Sequence, residues 1–86
     1  MGEAGRLARA VASEVRAEMA RQGVSGVELS RRAGMSNNYL AKRLRDEFPF
    51  TLNDLEPIAA ALRVPAAEIM GRAFDVMRRP ARADDE

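Results

Sequence analysis

Two residues, Gly34 and Met35, are all that separate two short helix-forming segments near the middle of the chain. The first is opened by Ser25 with Glu28 three residues on, the pattern of a capping box. The second is opened by Ser36 as its N-cap. Gly34 ends the first segment because it adopts positive φ without a steric penalty. A connection this short cannot lay two helices antiparallel and forces them to cross steeply. The other punctuation, Gly23, Pro49 and Pro65, cuts the remainder into further short periodic segments. None sustains period-two alternation, so the expected class is all-α, with five helices at about 3–22, 26–33, 36–45, 52–63 and 66–78.

Each helix has a legible apolar face. Leu7, Val11, Val15 and Met19 recur every four residues along the first. Leu29 is the best buried anchor of the second, with Val27 modestly placed. Leu40 and Leu44 form the seam of the third, and Leu55, Ile58, Ala59 and Leu62 that of the fourth. The fifth carries Ile69, Ala73 and Val76 on one face and Met70, Phe74 and Met77 on an adjacent one, a wide stripe for a terminal helix. Pro57 admits two arrangements. With Thr51 as cap it lies inside the fourth helix, removes a hydrogen bond and bends it. With Asp54 as cap it falls in the first turn and costs little; a late or bent start is favoured. The loop DEFPF (46–50) is expected to place Phe48 and Phe50 in the core beneath it, the rival being base stacking by an exposed ring. Residues 79–86 form a charged tail expected to be disordered.

Composition excludes more than it assigns. With 86 residues and 47% hydrophobic content, one domain with one modest core is expected. There is no Cys and no His. Disulfides, thiol or imidazole metal sites and His-based catalysis are therefore ruled out. No paired acids fall on an obvious cleft and no glycine-rich phosphate loop appears, so neither an enzyme nor a cofactor is expected. No apolar run approaches the roughly 18–20 residues that span a bilayer, and the N-terminus does not read as a signal peptide. A cytoplasmic protein without a membrane or small-molecule partner is expected. Net charge is only +1, but its distribution is uneven. Residues 1–45 hold nine cations against four carboxylates, net +5; residues 46–86 hold five against nine, net −4. A basic half suits a polyanion.

The stretch VSGVELSRRAGMSNNYLAKRLR (24–45), followed by TLNDLEPIAAALRVPAAEIM (51–70), resembles the λ-repressor-like or Cro-like helix-turn-helix family, also called XRE. The likeness covers roughly residues 7–78, within a domain placed at 1–78, and is similar to small actinobacterial phage immunity repressors. It implies that the third helix enters the major groove of double-stranded DNA. Carried onto this sequence, Asn37, Asn38 and Lys42 take base-contacting positions, and Arg43 reaches base or phosphate. Asn pairs with adenine and Lys with guanine by hydrogen-bond geometry. Ser36, Arg45, Arg31 and Arg32 are phosphate candidates. Tyr39 either packs beside the core or sends its hydroxyl to a phosphate. Met70, Phe74 and Met77 are the candidate surface for a homodimer, formed at least on DNA. The implied function is a sequence-specific repressor that occupies an operator. A protein-binding module of antitoxin or adaptor type, with weak DNA affinity, is the alternative. Two positions depart from the family. Gly26 stands where many members carry Gln, and RDEFPF replaces the usual Glu-x-Gly after the third helix.

Overall fold

The computed structural model describes residues 3–79. Five helices follow in order: α1 (Arg6–Gln22), α2 (Gly26–Ala33), α3 (Asn37–Leu44), α4 (Leu52–Leu62) and α5 (Ala66–Arg78). No strand occurs among the described residues. The expected bounds of the second and fifth helices hold without change. The first starts three residues late, behind Gly5 as a cap with no side chain to accept a backbone N–H. The third and fourth are trimmed because Ser36, Arg45 and Arg63 are caps. Residues 80–86, most of the expected charged tail, lie outside the described residues.

The helix ends are closed by the residues expected to close them. Ser25 Oγ accepts the Glu28 N–H at 3.1 Å, and Ser36 Oγ accepts the Tyr39 N–H at 3.0 Å. Gly23 and Gly34 end α1 and α2 at φ 68° and 74°. At both, a side chain would be strained although space is open.

The late start of the fourth helix does not occur. Thr51 caps it and Asp54 completes a capping box: the Thr51 N–H donates to Asp54 Oδ2 at 3.0 Å, and the Asp54 N–H to Thr51 Oγ1 at 3.1 Å. Pro57 therefore sits inside α4. The carbonyl it leaves without an amide partner belongs to Asn53, an exposed residue, so water can satisfy it. That relief, with two reciprocal cap bonds, explains why the earlier start wins.

One core joins the five helices. Val11 and Val15 from α1, Leu29 from α2 and Leu40 from α3 meet Leu55, Ile58, Ala59 and Leu62 from α4 and Ile69 and Ala73 from α5. Fully burying each Leu or Ile stabilises the fold by about 1.5–3 kcal/mol. The α1–α5 contact is the most extensive, while α2 lies on both α3 and α4. Leu29 and Leu40 are completely buried. They fix the outer faces of α2 and α3 toward solvent.

Two apolar expectations fail. Phe48 is 37% exposed and does not enter the core; Phe50 does, at its edge. Val76 is 44% exposed, because the last turn of α5 lies beside the arginines of α1 rather than the apolar seam.

Candidate nucleic-acid interface

The exposed face of α3 begins at its N-terminus. Asn37 and Asn38 are exposed on its first turn, next to the amide groups that a helix start presents. Ser36 is engaged as the cap. Lys42 follows Asn38 by four residues and so shares its side of the helix. Its Nζ lies 5.6 Å from the centre of the Phe48 ring, within cation–π range. No carboxylate pairs with Lys42 among the described residues.

Arg43 is drawn inward instead. Its guanidinium carbon lies 3.6 Å from the Tyr39 ring centre and 5.2 Å from that of Phe48. Its Nη1 donates to the Tyr39 carbonyl at 3.2 Å. Tyr39 in turn uses its hydroxyl within the protein, donating to the Asp54 carboxylate with oxygens at 2.9 and 3.0 Å. That acceptor, followed by burial, raises the phenol pKa above its ordinary value. Arg43, Tyr39 and Asp54 thus form a stack that ties α3 to the capping box of α4. Of the four residues expected at bases, Asn38 and Lys42 share one side of α3 with Asn37 beside Asn38 on the first turn, and Arg43 lies stacked between the Tyr39 and Phe48 rings. The Tyr39 hydroxyl points to Asp54 and not outward.

The phosphate candidates are paired at the margins. Arg31 and Arg32 both donate to Glu28, Arg32 at 2.8 Å. The Arg31 bond first, then the Arg32 bond, lowers the Glu28 pKa. Arg45 donates to Glu47 at 2.8 Å, which raises the arginine and lowers the glutamate. Solvent-exposed pairs of this kind are worth about 0–1 kcal/mol, so a phosphate can take the cation from its partner.

The residues singled out for self-association, at i, i+4 and i+7, share one side of α5 but differ in exposure and neighbours. Met70 packs at the edge of the core and lines an apolar groove of about 270 Å³ with Leu7, Val11, Phe50, Leu52 and Leu55. Phe74 is 41% exposed. Met77 borders a separate, basic groove with Arg6, Arg9 and Arg16. Leu52, 76% exposed, extends the apolar surface to the start of α4.

A sequence model of the helix-turn-helix family HTH_3 matches residues 15–69, from mid-α1 to α5 and across the whole α2–α3 pair. The chain belongs to this helix-turn-helix family. Solved structures agree with the assignment. The clp gene regulator ClgR from Corynebacterium glutamicum superposes with a TM-score of 0.78 at 24% identity, covering 86% of this chain and 96% of that one. The hypothetical transcription factor NHTF from Neisseria gives 0.70 at 26%, covering 86% of each chain. A variant of a restriction-modification controller protein gives 0.77 at 15%, covering 86% and 95%. No curated protein matches the chain by sequence. This helix-turn-helix protein is a DNA-binding transcription regulator of the XRE type.

Three features of the helix-turn-helix protein escaped the sequence reading. Arg16 of α1 donates to the Leu44 carbonyl and lies 3.9 Å from Asp46, placing a cation at the C-terminus of α3. Asp54 couples its own cap to Tyr39. Glu18 is buried and receives Arg21 at 2.8 Å, Gln22 at 2.8 Å and Arg72 of α5 at 3.1 Å. The signal for Glu18 was present: it stands three residues after Val15 and seven after Val11, at an apolar position of the seam.

Proposed function

We propose that this regulator is a sequence-specific repressor of phage or prophage type, acting in the cytoplasm on nucleoid or phage DNA. It occupies an operator with α3 in the major groove. Asn37 and Asn38 make base contacts by pairing with adenine edges, and Lys42 donates to guanine. Ser36, with the amides of the α3 start, and Arg31, Arg32 and Arg45 at the margins contact phosphates and set the register. Arg43 and Tyr39 serve this surface by orienting α3. A homodimer, joined through Phe74 and the Met70–Leu52 groove, sets two recognition helices about 34 Å apart on a palindromic site. The observation that carries the reading is the exposed Asn37–Asn38 pair on a capped helix start, with half-buried Lys42 one turn on, flanked by cations held only in exposed pairs.

The test is selection from a random duplex library at ~0.15 M salt, where non-specific binding is weakened. The intact protein is compared with the Asn37→Ala, Asn38→Ala double variant. A palindromic consensus that the variant blurs is the expected outcome. A short non-palindromic consensus would remove the dimer while keeping the base contacts. No enrichment would favour the protein-binding module, for which the open apolar groove lined by Leu7, Leu52 and Met70 is the supporting observation.

A further inference from the structure

We infer that Phe48 reads a thymine methyl group at the margin of the DNA site, extending the recognition surface past the end of α3; this rests on the reading of α3 as the major-groove helix. The loop after α3 does not run straight on to α4. Asp46 takes a left-handed conformation at φ 66°, and the Glu47 N–H donates back to the Lys42 carbonyl at 2.9 Å. This reversal holds the start of the loop against the last turn of α3. Phe48 is therefore set beside Lys42 and Arg43, not under the core, where Phe50 packs instead. Asn38, Lys42 and Phe48 form one continuous row, since Lys42 shares the Asn38 side of α3 and lies over the ring.

The surroundings of the ring select its partner. Lys42 Nζ is 5.6 Å and the Arg43 guanidinium carbon 5.2 Å from its centre. An apolar protein surface placed there would strip water from two cations without replacing it. A DNA groove offers both chemistries at once: anionic oxygens for the cations, and the C5-methyl of thymine for the ring.

The experiment takes the duplex selected by the wild-type protein and replaces each thymine in turn with uracil, which removes only the methyl. One thymine is expected at which uracil weakens the wild type by about fourfold, the equivalent of one buried methylene. Phe48→Ala should bind the thymine duplex at least that much more weakly and treat thymine and uracil alike at that position. Phe48→Leu, which keeps apolar bulk, should retain part of the discrimination. The ring is exposed, so circular dichroism of both variants should match the wild type. Unchanged thymine-to-uracil ratios at every position in Phe48→Ala would overturn the inference, leaving the ring only as a rest for Lys42. If the wild type selects no duplex at all, the operator reading itself fails and the inference falls with it.

Discussion

Asn38 and Arg32 sit on the same helix pair but have different expected roles, because their chemistry and their partners differ. Asn38 is exposed at the start of α3 with both an acceptor and a donor to offer a base edge. Arg32 is held by Glu28 in an exposed pair and can exchange that carboxylate for a phosphate. Asn38→Ala should therefore lose about 1–3 kcal/mol on the selected duplex and little on random DNA. Arg32→Ala should weaken both alike and flatten the salt dependence by about one unit of slope. Titrations on both duplexes across a salt series separate these outcomes. Equal losses on the two DNAs for Asn38→Ala would remove its base contact.

At the scale of elements, α1 is fastened to the C-terminal half of the chain through one carboxylate. Glu18 receives Arg21, Gln22 and Arg72, and Gln22 also donates to the Leu62 carbonyl at 2.6 Å, at the end of α4. These bonds, Gln22 first and then Arg21 and Arg72, outweigh burial and hold the Glu18 carboxyl at about 2 against an ordinary 4.5. The folded-state pKa is depressed, so the ion contributes stability above the unfolded value. That contribution is lost as pH falls from about 4.5 to about 2. Glu18→Gln should destabilise the fold at neutral pH by about 1–3 kcal/mol, since Arg21 and Arg72 lose their ion. It should also flatten the decline in stability between those pH values. Urea titrations of both proteins from pH 7 downward measure the two effects together. A variant with the wild-type pH profile would show that Glu18 is not the group responsible.

For the molecule as a whole, the apolar surface left outside the core is where the proposed homodimer would join. Phe74 and Leu52 are exposed, and Met70 borders the groove beside Leu52. Phe74→Glu should abolish self-association while leaving the helix content unchanged, and Met70→Glu should do so at some loss of stability because Met70 also touches the core. Sedimentation with and without the selected duplex is the measurement. An oligomer unaffected by Phe74→Glu would place the interface elsewhere.

The number of helices, their caps and most of their buried faces were readable along the chain, because each depends on residues within one or two turns. Ser25, Ser36 and Thr51 accept amides three residues away, and Val11, Val15, Leu55, Ile58 and Leu62 repeat at helical spacing. The packing of α2 against α3 was readable for the same reason, since a two-residue connection keeps the helices adjacent. Asn37 and Asn38 were legible as exposed polar positions; the exposure of Asn38 follows from burial of Leu40 on the opposite side, and that of Asn37 from its place at the helix start. The fate of the longer side chains was not legible. Whether Arg43 faced outward depended on the Tyr39 ring, and where the Tyr39 hydroxyl went depended on Asp54, fifteen residues on. Phe48 and Phe50 are chemically identical and two residues apart. Only the backbone reversal at Asp46 and the space left beside the core decide which is buried. Local hydrogen bonds and periodicity settle where helices form. Contacts between distant helices settle which side chains remain free to meet a partner.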